Sequence, residues 1–193
     1  MKKKNSYIYC ILIFISISLP LKAFEGDFKQ NWYLGGSIGI GDYGEIKNKS
    51  AYNNETIHLA GDAHLGFVMN KYVASELSYQ YLGKAYAQYS LGHIKANFQQ
   101  LVLSTKIGYP VENVFYPYAR IGGAAWLGES HGLREANEQG FAPVVGGGIE
   151  YVFNSALVTR LDYQYTKSLG NEKVGHTNHH MLTVGFDWYF DYL

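Results

Sequence analysis

Residues 73–81 read Val73-Ala74-Ser75-Glu76-Leu77-Ser78-Tyr79-Gln80-Tyr81. On an extended chain Val73, Ser75, Leu77, Tyr79 and Tyr81 share one face, and Ala74, Glu76, Ser78 and Gln80 share the other. Successive side chains of a strand point to opposite sides, so this period of two predicts a strand with one apolar face. The second face is small and polar, with a single carboxylate well inside the run. Whether that carboxylate faces water or an interior decides what kind of protein this is.

The same alternation recurs on both sides of the segment. Before it, Trp32, Leu34, Gly36, Ile38 and Ile40 alternate with Tyr33, Gly35, Ser37 and Gly39, and Ile57, Leu59, Gly61, Ala63, Leu65 and Phe67 alternate with His58, Ala60, Asp62, His64 and Gly66. After it come Leu101, Leu103, Thr105, Ile107 and Tyr109 against Gln100, Ser104, Lys106 and Gly108, then Ala119, Ile121, Ala125 and Leu127 against Tyr118, Arg120, Gly122 and Ala124. A weaker run spans 143–151 with Glu150 on its polar side. Val158, Leu161, Tyr163 and Tyr165 then lie near Arg160, Asp162 and Gln164, and Leu182, Val184, Phe186, Trp188 and Phe190 stand against Thr183, Gly185, Asp187 and Tyr189. That makes eight strands. Met69-Asn70-Lys71, 110–114 and 153–155 read as tight turns, whereas 42–56, 82–97, 128–140 and 168–179 are longer and polar. Connections that alternate short and long are expected of an antiparallel up-and-down barrel.

Composition excludes several classes. The 193 residues carry 16 Lys+Arg and 16 Asp+Glu, which leaves no cationic footprint for nucleic acid. One cysteine rules out a disulfide scaffold or a cysteine-built zinc cage. The apolar share of 47% is too high for a disordered chain, and 18 Tyr and 10 Phe favour strands. Lys2, Lys3 and Lys4 precede an apolar run from Tyr7 to Leu19, Pro20 and Leu21-Lys22-Ala23, so residues 1–23 are expected to be a cleaved signal peptide that takes Cys10 with it. Removing the four lysines of that segment leaves 12 bases against 16 acids, a net of −4, in an exported domain 24–193.

Two eight-stranded barrels fit. A lipocalin-like soluble carrier turns its apolar face inward, and an outer-membrane barrel turns it to lipid. Glu76, Lys106, Arg120, Glu150, Arg160 and Asp162 all sit inside strands on the less apolar face, among Gly, Ala, Ser and Gln. Few charges among small residues suit a crowded lumen better than a solvated surface. Trp32, Tyr79, Tyr81, Tyr109, Phe115, Tyr151, Tyr163, Tyr165, Trp188 and Phe190 end the apolar face, as interfacial girdles would. The expected reading is therefore the transmembrane barrel.

Five blocks in order then resemble the OmpA-type transmembrane domain. They are Lys106-Ile107-Gly108-Tyr109-Pro110 with Tyr118-Ala119-Arg120-Ile121-Gly122-Gly123-Ala124-Ala125-Trp126; Gly147-Gly148-Ile149-Glu150-Tyr151; Thr159-Arg160-Leu161-Asp162-Tyr163-Gln164-Tyr165; Met181-Leu182-Thr183-Val184-Gly185; and the 73–83 strand. The resemblance implies a multi-pass barrel in a Gram-negative outer membrane, in contact with lipid and lipopolysaccharide. It also implies an envelope role, contact with host or phage surfaces through the loops, and a narrow, poorly conducting pore. In the family, acids and bases pair across the lumen; the matching positions are Glu76, Lys106, Arg120, Glu150 and Arg160, with Asp162 where Glu is frequent. The sequence ends three residues after Phe190, so the periplasmic peptidoglycan-binding domain of many relatives is not expected here.

Three bases and three acids would form a neutral lumen network, either a static interior that specifies the fold or a plug that rearranges to pass small ions. Gly39-Ile40-Gly41-Asp42-Tyr43-Gly44 matches a dinucleotide fingerprint but is followed by polar, loop-like sequence rather than a helix. His176, His179 and His180 cluster in the fourth long segment without a clear carboxylate partner, and no metal or cofactor is expected. His58, Asp62 and His64 share the polar face of the second strand, but a hydrolytic site needs a nucleophile on the base, and Ser37 or Ser104 are only guesses. A lipid A-modifying barrel enzyme is the remaining alternative. The expectation is a non-enzymatic barrel, monomeric or weakly dimeric.

Overall fold

The computed structural model describes residues 32–44, 53–55, 57–89, 92–112, 114–132, 136–154, 156–171 and 175–190. The expected signal segment 1–23 lies outside them, as does 24–31. The described chain forms strands β1 (Trp32–Tyr43), β2 (Asn53–Glu55), β3 (Ile57–Asn70), β4 (Val73–Tyr89), β5 (Gly92–Gly108), β6 (Phe115–Gly132), β7 (Ala136–Val152), β8 (Leu157–Asn171) and β9 (Gly175–Phe190). Eight of them pair antiparallel in the cyclic order β4-β3-β1-β9-β8-β7-β6-β5, and β5 returns to β4, so no edge is left open. The three-residue β2 adds to β4 beyond the rim.

The face assignment follows from exposure. Ile38 is 62% exposed and Val184 55%, whereas Glu76 is 1% exposed. The apolar residues form the outer wall and the small polar face forms the lumen, which is the arrangement of a transmembrane barrel and the reverse of a lipocalin. A soluble chain could not leave Leu34, Ile40, Leu59, Ile121, Phe141 and Phe186 so exposed in one band. Aromatics flank that band, with Trp32, Tyr109, Phe115, Tyr151, Trp188 and Phe190 at the end of the tight turns and Tyr79 and Tyr163 towards the other end.

Two of the tight turns use one device. The Asn70 carboxamide oxygen accepts from the backbone N–H of Tyr72 and Val73 at 2.8 and 3.0 Å, and that of Asn154 accepts from Ala156 and Leu157 at 2.9 Å each. At the other rim the structure differs from the sequence expectation in detail. Much of 82–97, 128–140 and 168–179 is paired strand rather than irregular loop: the β4–β5 ladder runs to Tyr89↔Gly92, β6–β7 to Ser130↔Ala136 and β8–β9 to Asn171↔Gly175. Polar residues there obscure the alternation, because above the lipid band neither face needs to be apolar. Val158 also departs from its expected place. It points into the lumen and is 6% exposed, in step with Arg160 and Asp162.

Lumen aromatics are seated on glycines of the neighbouring strand. Tyr33↔Gly66, Phe98↔Gly128, Tyr118↔Gly148 and Trp126↔Gly140 are direct cross-strand pairs, and a Cβ at each of these glycines would run into the ring of its partner.

Candidate functional site

From the tight-turn end outward, the lumen-facing positions of β4 are Glu76, Ser78, Gln80 and Leu82, and those of β8, four strands away on the opposite wall, are Arg160, Asp162, Gln164, Thr166 and Leu169. These positions define three levels.

The first is ionic and centres on Glu76. Its Oε2 accepts from Arg160 Nη1 at 2.8 Å and from the Tyr33 hydroxyl at 2.9 Å, and it lies 3.6 Å from Lys106 Nζ. Its Oε1 lies 3.0 Å from Arg120 Nη2, a charge contact rather than an aligned hydrogen bond. Lys106 donates to Glu150 at 2.5 Å and sits over the rings of Tyr33 and Tyr118 at 4.7 and 5.1 Å. Arg120 lies 3.1 Å from Asp162, which also accepts from the Tyr118 hydroxyl. All six residues singled out in the sequence meet here, and none is more than 5% exposed.

The structure adds three residues to them. His64 sits between two carboxylates, with Nδ1 2.6 Å from Asp62 and Nε2 2.6 Å from Asp187, and Arg160 Nη2 is 2.8 Å from its Nδ1. His64 and Asp187 meet over Gly35, which pairs with both and whose Cβ would collide with both. The balance of three acids and three bases is thereby corrected. Five carboxylates (Asp62, Glu76, Glu150, Asp162, Asp187) face Lys106, Arg120, Arg160 and the titratable His64. Strand parity places Asp62, His64 and Asp187 on the polar face, but a histidine is not a fixed charge, and Asp62 with His64 reads equally as part of a hydrolytic site.

The second level is made of amides. Gln80 and Gln164 exchange hydrogen bonds across the lumen at 3.0 and 2.7 Å, and Gln100 donates to Gln80 at 2.6 Å and to Thr166 at 3.3 Å. The third level is an apolar septum of Tyr43, Ala60, Leu82, Phe98, Trp126, Ala142, Leu169 and Met181.

Other sequence candidates are placed as follows. Ser37 donates to Asp62, and the ring nitrogens of His64 are taken by Asp62, Asp187 and Arg160, so Ser37 and His64 are not paired with each other. His179 and His180 are successive strand residues and part company. His179 points into the lumen, with Nε2 3.2 Å from that of His58, while His180 turns outward and its Nδ1 is 2.7 Å from the Tyr163 hydroxyl. The histidines expected to cluster in a loop therefore sit on a strand and face opposite ways. The side chain of His176 lies outside the described residues. Gly39 and Gly41 of the dinucleotide-like run are lumen-facing strand residues pressed against β9 and against His58 and His179.

With this geometry in hand, the chain can be set beside known proteins. A family model described as the OmpA-like transmembrane domain matches residues 28–192. Outer membrane protein A of Escherichia coli O157:H7 is 30% identical over 188 residues, covering 91% of this chain and 54% of that protein, so the chain spans about half the length of such relatives. Among solved structures, Neisserial surface protein A is similar with a TM-score of 0.66 at 13% identity, covering 82% of this chain and 97% of that one. Ail of Yersinia pestis, solved with the heparin analogue sucrose octasulfate, is similar with a TM-score of 0.53 at 10% identity, covering 83% and 97%.

Proposed function

This chain belongs to the OmpA-like transmembrane domain family and spans the bacterial outer membrane as a multi-pass barrel, and on that premise we propose that it acts there as a closed, lipid-held scaffold that presents paired hairpins to the outside. The observation that carries the proposal is the filled lumen. Side chains from all eight spanning strands meet in the ionic level alone: Tyr33, His64, Glu76, Lys106, Arg120, Glu150, Arg160 and Asp187. A narrow barrel is just wide enough for its own side chains to fill it. The six charges Glu76, Lys106, Arg120, Glu150, Arg160 and Asp162 act as a static interior that fixes strand register and shape. Removing one partner leaves an uncompensated buried charge, so the network resists rearrangement.

The long hairpins carry the contacts in this reading, since recognition elements are borne on connections held by a rigid frame. Lipopolysaccharide and outer-leaflet lipid surround the wall, and residues 1–23 direct export. Ail shares only the fold, but the sulfated ligand of its structure makes a sulfated glycan the first probe to try.

The test is expression of the full chain, isolation of outer membranes, and a gel of unheated and boiled samples. A band that runs faster unheated, together with purified barrel that shows no steady ion conductance in a planar bilayer, is the expected result. An unshifted band in the periplasmic extract, or a steadily open channel, overturns the closed scaffold. Cells carrying the chain with 85–96 shortened to a two-residue turn should keep the gel shift and lose adhesion to a sulfated-glycan surface.

A further inference from the structure

The apolar septum takes one residue from each of the eight spanning strands: Tyr43 from β1, Ala60 from β3, Leu82 from β4, Phe98 from β5, Trp126 from β6, Ala142 from β7, Leu169 from β8 and Met181 from β9. It lies near the outward rim, yet none of the eight is more than 3% exposed. Every spanning strand therefore contributes one buried residue to it.

Its construction is specific. Tyr43 and Phe98 pack with ring centroids 5.6 Å apart, and Phe98 meets Trp126 edge to face at 6.1 Å. Phe98 and Trp126 are seated on Gly128 and Gly140. On opposite walls, Leu82 and Leu169 each stand at a break in strand register, between Tyr81 and Lys84 on β4 and between Thr166 and Leu169 on β8. Inside the first break Gly83 takes a positive φ of 83°, a conformation glycine adopts without strain, whereas inside the second the positive φ of 60° falls on Ser168, with Gly170 at 85° just beyond it. The β8 bulge shifts side-chain parity, so that Leu169 rather than Ser168 enters the lumen, as bulges re-aim side chains elsewhere. The Tyr43 hydroxyl is spent on the Gly83 carbonyl at 3.1 Å.

We propose that this septum by itself holds the lumen closed to ions, as a barrier in series with the ionic level and independent of it. The proposal rests on the closed-scaffold reading above and assigns the closure to particular residues. An ion that reaches the ionic or amide levels meets carboxylates, guanidinium groups and carboxamides that can replace its water. At the septum it meets aromatic rings, methyl groups and a thioether, with the imidazoles of His58 and His179 beside the Tyr43 ring at 4.5 and 4.8 Å as its polar neighbours, and a constriction so largely hydrophobic closes by dewetting. The cost of stripping an unpaired charge of water is the barrier.

Single-channel recording on the full chain in planar bilayers tests this, with the gel shift confirming that each variant folds. One variant removes the Lys106–Glu150 ion pair as a unit, Lys106→Met with Glu150→Gln. A second adds Phe98→Ala and Trp126→Ala to it. A third instead adds Leu82→Asn and Leu169→Asn, which wets the septum at nearly constant volume in case the cavity variant does not fold. The charge variant is expected to stay at the lipid background, and the combined variants to conduct roughly tenfold or more above it. A charge variant that conducts as well as the combined ones overturns the proposal, as do combined variants that fold and remain silent. Wild-type protein that conducts steadily would instead defeat the closed-scaffold reading on which it rests.

Discussion

Glu76 and Leu82 lie six residues apart on one strand and face the same lumen, and Arg160 and Leu169 answer them on the opposite wall. The first level is filled by ions held within 2.5 to 3.8 Å of one another. The third is filled by a largely apolar ring whose one hydroxyl, among the described residues, is already used. The two levels share the same eight strands, but differ in side-chain chemistry and in the two backbone breaks that accompany the third. The ionic level needs every partner present to be tolerable, whereas the septum tolerates loss in proportion to the volume removed.

The largest effect should come from the centre of the ionic level. Glu76→Ala leaves Arg120, Arg160 and Lys106 without their shared carboxylate, and urea titration of the barrel folded in vesicles should show a loss of about 3–5 kcal/mol. Leu82→Ala should cost about 2–5 kcal/mol, towards the lower bound because the neighbouring bulge can relax. If Leu82→Ala proves the more damaging, the contrast between the two levels fails. Gln80→Ala removes the partner that Gln100 and Gln164 share in the layer between, leaving Gln100 only Thr166, for a loss of about 1–3 kcal/mol in the same titration. The smallest effect is the most discriminating. Glu76 and Leu82 are separated by about 20 Å of strand, with no shared partner, so the double variant should equal the sum of the singles to within about 0.5 kcal/mol. A larger coupling would show that the levels are one structure and not two.

Much of this was legible from the residues. Parity around Glu76, Lys106, Arg120, Glu150, Arg160 and Asp162 placed all six on the lumen side, because a strand confined between lipid and lumen cannot break its period of two. The same parity held Asp62, His64 and Asp187, but no sequence pattern shows that an imidazole on β3 reaches a carboxylate on β9. The septum was harder to see. Its members are scattered singly over eight strands, often beside polar residues, and Leu169 reaches the lumen only because β8 changes phase at a bulge whose positive φ falls on Ser168, a residue that does not announce it. The extended rim hairpins were hidden for a related reason: where no lipid enforces alternation, polar residues on both faces read as loop.

The aromatic–glycine pairs have a consequence for how the barrel is put together. Each ring finds its seat on one residue of the adjoining strand, Phe98 on Gly128, Trp126 on Gly140, Tyr118 on Gly148 and Tyr33 on Gly66. A hairpin that slips by one residue turns its glycine to the lipid side and offers the ring a side chain in its place, since a shift of one reverses every position. The pairs thus work as a proofreading key. They guard the β1–β3, β5–β6 and β6–β7 junctions, where a slipped ladder meets a clash at the ring itself rather than at a distance.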